Sequence, residues 1–126
     1  MTARWALAAC WALAGCAQTA VAPAALVDIL ARPAERTLLL GLRAYEDALY
    51  VEAQRQLTEA LGLGLASPRD RAAANKTLAF IYCTSDRVPA CEAAFRAARK
   101  ADPGFTLSKS EAGHPQWGPV YQRVQP

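Results

Sequence analysis

Two cysteines, Cys83 and Cys91, are the residues of this chain best suited to covalent chemistry. They flank a short polar stretch with one proline in the segment YCTSDRVPAC, residues 82–91. Such a pair can be a redox couple, two metal ligands or a structural disulfide, and the choice depends on whether the compartment is reducing or oxidising. A redox couple is expected at closer spacing, as in C-x-x-C, and a metal site needs further ligands. The compartment has to be inferred from elsewhere in the sequence.

The other reactive side chains do not form a recognisable catalytic pattern. The single histidine, His114, lies in the turn sequence Gly113-His114-Pro115 without a carboxylate or cysteine at ligand spacing. Glu46 and Asp47 are adjacent, so they point in different directions on a helix. The sequence has no P-loop, G-x-S-x-G, H-E-x-x-H or zinc-type cysteine quartet. We therefore predict that the protein is not an enzyme and needs no metal or cofactor.

The N-terminus has the features of a secretory signal. Residues 1–4 carry one positive charge, residues 5–13 are apolar, and Leu13-Ala14-Gly15-Cys16 follows at once. The apolar run is far shorter than the roughly 20 residues that span a bilayer, so it is typical of a signal peptide rather than a membrane helix. The LAGC motif resembles the lipobox of bacterial lipoproteins. That resemblance implies a signal peptide over residues 1–15 and a mature chain that begins with acylated Cys16, a palmitate-bearing membrane anchor.

Two other interpretations of the N-terminus remain open. Leu7-Ala8-Ala9-Cys10 also resembles a lipobox, although the apolar run before Cys10 is short for a signal peptide. The apolar segment could instead be a buried N-terminal helix of a cytoplasmic protein. In lipoproteins an aspartate directly after the acylated cysteine favours retention in the inner membrane, whereas here Ala17 follows. The resemblance thus implies the outer membrane, facing the periplasm.

Composition bounds the remaining chain to one small domain. Loss of residues 1–15, which contain one arginine and no acidic residue, lowers the formal net charge from +3 to +2. This near balance, without a basic cluster, does not favour nucleic acid as a partner. Alanine and leucine dominate, which favours helix. Residues 16–36 contain Pro23 and Pro33 among alanines, and we predict a periplasmic tether there.

Apolar and small residues recur at helical spacing between Thr37 and Leu61, and the pattern returns 38 residues later. The aligned pairs are Leu40 with Leu78, Gly41 with Ala79, Ala53 with Cys91, Leu57 with Phe95, and Ala60 with Ala98. Small residues in this set allow paired helices to approach closely. We predict an all-α fold with two helical hairpins over residues 37–103, ending at the helix stop Asp102-Pro103.

This repeat resembles the tetratricopeptide (TPR) repeat, whose pattern has L-G-x2-Y on the first helix and A-x3-F on the second. The second copy supplies Leu78-Ala79-x2-Tyr82 and then Cys91-x3-Phe95-x2-Ala98. The first copy has Ala44 at the tyrosine position, with Tyr45 beside it. The resemblance implies an α-solenoid of two TPR-like hairpins, and the alternative is a generic four-helix bundle with a similar apolar stripe.

Two further segments complete the predicted fold. The period of 38 exceeds the family's about 34, and we expect the excess to lengthen the loop over residues 62–70, which is rich in helix breakers. Two repeats leave an open end, which we expect residues 104–126 to cap. Ser108-x-x-Glu111 predicts a capping box at the start of a short helix. The apolar residues expected to cover the last hairpin are Phe105, Leu107, Trp117, Val120 and Tyr121.

The tail EAGHPQWGPVY, residues 111–121, carries a second resemblance. Together with Tyr82-Cys83, Cys91-x3-Phe95 and Asp102-Pro103-x-Phe105-x-Leu107, it is similar to the TssQ family of small TPR lipoproteins associated with type VI secretion. The likeness covers residues 37–124 and the lipobox. It implies an accessory protein, anchored in the outer membrane, that helps to assemble or stabilise the secretion apparatus by binding one of its protein components.

Two alternative functions share parts of this pattern. A TPR lipoprotein could serve another envelope machine, such as one for pilus biogenesis, outer-membrane protein insertion or peptidoglycan enzymes. A small-molecule or glycan binder could instead use Trp117 and Tyr121 as its platform, which requires Trp117 to be exposed to solvent. TPR arrays usually bind their partners in the groove formed by the first helices. The residues predicted to line that groove are Arg43, Asp47, Arg71, Asn75 and Lys76.

The expected export of the chain bears on the choice between the three roles of the cysteine pair. The lipobox resemblance implies that Cys10 leaves with the signal peptide and Cys16 takes the lipid, which would leave Cys83 and Cys91 as the only possible pair in an oxidising compartment. They are expected across the turn of the second hairpin, where small residues permit the close approach that a disulfide needs. We predict a structural disulfide there, with buried free thiols as the alternative.

Overall fold

The computed structural model of the chain describes Asp28 and residues 31–126. This part is all-helical, as predicted, and contains no strand. Its helices are α1 (Pro33–Glu46), α2 (Tyr50–Leu63), α3 (Pro68–Thr84), α4 (Val88–Ala101), α5 (Lys109–Ala112) and α6 (Trp117–Arg123). The predictions for the signal peptide, Cys10, the acylated Cys16 and most of the tether lie outside the described residues.

The first hairpin starts earlier than predicted. Helix α1 begins at Pro33, so the tether boundary placed at residue 36 is wrong. Proline is well suited to the first helical position, because its missing N–H would have no partner there and its φ is already helical. Ala34 and Glu35 are consequently buried in the fold. Pro33 therefore starts a helix instead of extending the linker.

The helices pair in sequence, α1 with α2 and α3 with α4, and α3 also packs against α1 and α2. Three helix boundaries recur at the same spacing of 38 residues as the sequence pattern. Helices α1 and α3 end at Glu46 and Thr84. Helices α2 and α4 begin at Tyr50 and Val88 and end at Leu63 and Ala101. The two hairpins are thus in structural register over most of their length.

The extra residues of the period do not lengthen the loop between hairpins, and that prediction is wrong. Only residues 64–67 separate α2 from α3, while α3 has 17 residues against 14 in α1. Pro68 sits in the first turn of α3, and the Ser67 hydroxyl caps this helix by accepting a hydrogen bond from the Asp70 N–H at 3.3 Å. Gly64, with φ of 89°, ends α2 in the left-handed conformation. The extra residues of the period therefore form an additional helical turn at the start of α3.

Four of the five aligned pairs lie inside the helix packing. Ala53, Cys91, Leu57, Ala60 and Ala98 are all 0% exposed and Phe95 is 1% exposed. A Cβ at Gly41 would lie 2.8 Å from Leu57 Cγ, so α1 and α2 approach as closely as the small residues suggested.

In the fifth pair, Leu40 with Leu78, one residue is buried and the other is exposed. Leu78 is 4% exposed, since the preceding helix α2 covers it, whereas Leu40 is 53% exposed. The prediction of Leu40 as a core residue is therefore wrong. Among the described residues, no hairpin precedes α1 to cover it.

The C-terminal segment covers the second hairpin, with α6 packed against both α3 and α4. Val120, Tyr121 and Val124 join the core, and Phe105, Leu107 and Trp117 pack against it half-buried. Helix α6 has seven residues and α5 has four. This short, proline-interrupted segment closes the end of the described helical stack.

Candidate functional site

The two helical turns at the same end of the hairpins have identical backbone hydrogen bonds. In the first, Leu49 N–H donates to Ala44 O and Ala48 N–H to Tyr45 O. In the second, the matching bonds run from Arg87 to Tyr82 and from Asp86 to Cys83. These are Schellman motifs, which satisfy the last carbonyls of a helix and usually place glycine at the left-handed position.

Here the left-handed positions hold Ala48 and Asp86, each with φ of 60°. A side chain in this conformation is disfavoured, more for alanine than for aspartate. The first turn brings Tyr50 and Val51 of the following helix to the space between the two turns, and the second brings Ser85 and Arg87 of the turn itself. The two turns therefore form a pair of walls with a space between them.

A disulfide fixes the second turn, as predicted. Cys83 in the last turn of α3 is bonded to Cys91 in the first turn of α4, with the Cα atoms 5.2 Å apart. Both residues are buried. The loop closed by this bond contains Ser85 and Arg87, so the bond restricts the part of the chain that faces the first turn.

Between the two turns lies a groove of about 380 Å³. We call it the turn groove. It is lined by Tyr45, Tyr50, Val51, Gln54, Ile81, Thr84, Ser85, Arg87, His114 and Trp117. Each hairpin supplies part of the lining, and the C-terminal segment supplies the last two residues. The groove thus depends on all three parts of the domain being in place.

Arg87 is held in position from three sides. Its Nη2 donates to Gln54 Oε1 at 2.7 Å and its Nε to Ser85 Oγ at 3.2 Å. Its guanidinium carbon lies 4.6 Å from the centre of the Tyr82 ring, a cation–π contact. The bond to Gln54 joins α2 to the second turn. Among the described residues Arg87 forms no ion pair, and it is the permanently charged residue of the groove lining.

The C-terminal wall of the groove is a stack of aromatic rings. The Trp117 ring lies between His114, at a centroid distance of 3.3 Å, and Phe80, at 4.1 Å. Two rings this close to one indole must lie on opposite faces. The indole Nε1–H donates to Glu111 O at 2.7 Å. Trp117 therefore has neither an open face nor a free polar edge to offer a sugar ring.

Tyr121 is also engaged within the fold. It is 8% exposed, meets Phe95 and Phe105 edge to face, and its hydroxyl accepts a hydrogen bond from Leu107 N–H at 3.2 Å. Both aromatic residues considered for a ligand platform serve instead to attach the tail to the hairpins.

Glu111 attaches the tail through charge. The capping box is present: Ser108 Oγ accepts from Glu111 N–H at 3.2 Å, and Glu111 Oε2 accepts from Ser108 N–H at 2.9 Å. Its other oxygen meets Lys76 Nζ of α3 at 2.7 Å. Burial alone raises the pKa of Glu111, but the Lys76 and Ser108 hydrogen bonds and the Lys76 charge outweigh it and lower this pKa.

The first turn carries an exposed apolar tip beside the groove. Leu49 is 58%, Tyr50 49% and Val51 88% exposed. Tyr45 lies behind them, its ring 5.6 Å from that of Tyr50. Burial, followed by the Tyr50 and Glu111 charges, raises the pKa of Tyr45, so its phenol is neutral near pH 7. The tip and the groove form a continuous, largely uncharged surface around Arg87.

None of the five residues predicted to bind a partner lines the turn groove. Arg43 and Asp47 pair with each other on the exposed side of α1, with Nε and Oδ2 3.1 Å apart. Arg71 donates to Leu65 O and Ala66 O and so holds the loop between hairpins. Asn75 donates to Arg71 O, and Lys76 binds Glu111. Three of the five therefore have structural partners within the fold.

Sequence reasoning missed Tyr50, Val51, Gln54 and Arg87. One signal could have found them. The 38-residue repeat aligns Leu49 with Arg87 and therefore places the two turns side by side, and the apolar run ALYV at a predicted turn is unusual for a solvated loop.

In the part of the chain that the structure describes, no three His, Cys, Asp or Glu side chains cluster as a metal site would require. None of the helices α1 to α6 is long and apolar enough to cross a bilayer.

No protein-family model, curated protein or solved structure matches the chain. The site must therefore be interpreted from its own geometry.

Proposed function

We propose that this protein is an outer-membrane-anchored periplasmic lipoprotein with two TPR-like hairpins, which acts as an accessory or assembly adaptor of a type VI secretion system. The turn groove is the observation on which the adaptor part of the proposal rests. It is an open groove with an exposed apolar tip, and its lining contains no nucleophile paired with a base. Such a surface is suited to binding a protein segment.

The assignment to type VI secretion rests on the C-terminal tail. The residues that carry the resemblance to the TssQ family, EAGHPQWGPVY, include His114 and Trp117 of the groove wall and Glu111, which binds α3. The tail sequence and the candidate binding surface are therefore linked. The LAGC motif and the disulfide both agree with an exported protein.

The anchor is tested by metabolic labelling with radioactive palmitate in a Gram-negative host. We expect label in the wild-type chain and its loss in Cys16→Ala, while Cys10→Ala, the matched control, keeps it. Label that persists in Cys16→Ala would place the lipid elsewhere or rule out lipidation at the predicted site.

The adaptor role is tested by periplasmic crosslinking of the full lipidated chain in a host with a complete type VI system, followed by mass spectrometry. We expect a structural component of the secretion apparatus to be enriched over a Cys16→Ala control. Enrichment of pilus, outer-membrane insertion or peptidoglycan proteins would favour another envelope machine. Capture of none of these would refute the adaptor proposal.

A further inference from the structure

We propose that the turn groove recognises a peptide segment in which a bulky apolar side chain lies next to a carboxylate, with the carboxylate bound by Arg87. This inference deepens the proposed adaptor function and rests on it. The chemical class of the partner follows from three features of the groove: its charge, the ordered side chain of Arg87 and its apolar area.

Arg87 is prepared to bind an anion before any partner arrives. Its contacts with Gln54, Ser85 and Tyr82 use Nη2, Nε and one face of the guanidinium, and Nη1 makes no hydrogen bond with the described residues. A side chain that is already ordered loses less conformational entropy on binding. Guanidinium groups bind carboxylates strongly because the hydrogen bonds are charge-assisted. The position therefore favours an acidic group.

The groove contains no carboxylate that could take this place. Its described lining combines Arg87 with aromatic, aliphatic and neutral polar residues. The nearby Glu52, in the first turn of α2, is already bound by Arg55 at 2.6 Å and by Gln56 at 2.8 Å. Charge complementarity thus selects an acidic partner over a basic one.

The apolar half of the ligand follows from the tip and the floor of the groove. Ile81 is buried at the floor, and Tyr45 and Trp117 are half-buried in the walls. Val51 and Tyr50 stand exposed at the rim, where a partner would cover them. Binding energy at protein interfaces concentrates where an apolar anchor enters such a pocket. An aliphatic or aromatic side chain beside the carboxylate therefore fits.

The test begins with a random 12-residue peptide library displayed on phage and selected on the immobilised full chain in detergent. We expect enriched peptides to contain Asp or Glu adjacent to Leu, Ile, Phe or Trp. Basic consensus peptides, or no enrichment, would overturn the inference.

The site is then located with a fluorescent synthetic peptide of the selected sequence and fluorescence anisotropy. We expect Arg87→Glu and Val51→Asp each to weaken binding at least tenfold. Lys100→Glu and Leu40→Asp, the matched controls on exposed surfaces away from the groove, should change it less than twofold. Val51 lies in the first turn of α2, where an acidic residue is favourable, so Val51→Asp should fold.

A charge swap separates direct contact from misfolding. Replacing the acidic residue of the peptide by Lys should weaken binding to the wild type and restore binding to Arg87→Glu by at least fivefold. Loss without any rescue would remove Arg87 from the recognition step. A wild-type dimer that becomes monomeric in Val51→Asp would make a second copy the occupant and overturn the inference.

The outcomes for the groove and for the adaptor function can be told apart. If crosslinking captures a secretion component equally well with wild type and with Arg87→Glu, the adaptor function stands and the groove inference fails. If the peptide results hold but no envelope component is captured, the groove inference stands and the adaptor function fails.

Discussion

Two residues in left-handed backbone define the shape of the turns, and they are not equally suited to it. Ala48 and Asp86 both have φ of 60°. Aspartate tolerates this conformation better, because its short polar side chain can bond locally, whereas alanine clashes with the backbone without compensation. Glycine would have no Cβ to clash.

We predict that Ala48→Gly raises the free energy of unfolding by about 1 kcal/mol, the balance of relieved strain and glycine's greater entropy in the unfolded chain. Asp86→Gly serves as the matched control, with a smaller gain or none. Urea denaturation followed by circular dichroism measures both. An unchanged or lowered midpoint for Ala48→Gly would show that the turn is not strained.

A second prediction concerns Glu111. Burial raises its pKa, but bonds to Lys76 and Ser108 outweigh that effect and keep the folded value below the ordinary one. A carboxyl whose pKa is lower in the folded state stabilises the fold above its unfolded pKa, and this contribution is lost as pH falls through the folded value. Glu111→Gln should therefore be less stable near neutrality and lose less stability on acidification.

The measurement is the denaturation midpoint of wild type and Glu111→Gln at about pH 6 and about pH 3, on either side of the ordinary glutamate pKa. Glu46→Gln, which changes an exposed carboxyl on α1, provides the comparison. Equal acid sensitivity of Glu111→Gln and wild type would mean that this ion pair does not stabilise the tail.

The contact between helices α5 and α6 depends on a single glycine. A Cβ at Gly118 would lie 2.3 Å from the carbonyl oxygen of Ala112, a backbone atom that cannot rotate away. By contrast, a Cβ at Gly62 in α2 would meet nothing within 4 Å. The two glycines therefore form a natural comparison.

We predict that Gly118→Ala lowers the free energy of unfolding by about 1–3 kcal/mol, as overpacking does in a filled site. Gly62→Ala should raise it by up to about 1 kcal/mol through helix propensity. Thermal and urea denaturation of both variants test this. Similar effects of the two substitutions would contradict a tight contact at Gly118.

The disulfide joins α3 to α4 and closes a loop of about nine residues, so in the chain-entropy model it contributes about 2.5 kcal/mol. We predict a loss of this order in the Cys83→Ala, Cys91→Ala double variant. Adding reductant to the wild type should produce the same shift and leave the double variant unaffected. Two free thiols in denatured, unreduced periplasmic protein would instead refute the bond.

The sequence could predict most of these elements, and the reasons for the failures are physical. Hydrophobic periodicity located the hairpins, and the Ser108 to Glu111 spacing located a capping box. Prolines 33 and 68 were interpreted as breakers, but each sits in the first turn of a helix, where proline is favourable. The bonds of Arg71 and Lys76 within the fold could not be predicted, because they depend on contacts that no local pattern encodes.

For the whole molecule, the tail is as much a part of the core as the hairpins. Phe80 and Phe95 of α3 and α4 face Trp117 and Tyr121. Without the tail, the second hairpin would expose these rings. A two-hairpin stack has little other apolar area with which to compensate, because the smallest domains bury the least surface.

We predict that a chain ending at Pro103 loses about 3 kcal/mol or more of unfolding free energy, from the lost burial of several large side chains. It should also bind the dye ANS, which reports exposed apolar surface. A chain ending at Val124 is the control, since Gln125 and Pro126 are exposed. An unchanged midpoint for the longer truncation would show that the hairpins are stable alone.

The common register of the two hairpins also sets which positions of one hairpin correspond to those of the other. Three helix boundaries, the Schellman turns and the left-handed positions recur at 38 residues, which is the pattern expected of a tandem duplication of one hairpin. At that offset Cys83 and Cys91 correspond to Tyr45 and Ala53. One copy uses the pair of positions for a covalent bond, and the other places a groove residue there. The disulfide thus restrains the second turn, which faces the first across the groove, whereas the first turn has no covalent restraint at the matching positions.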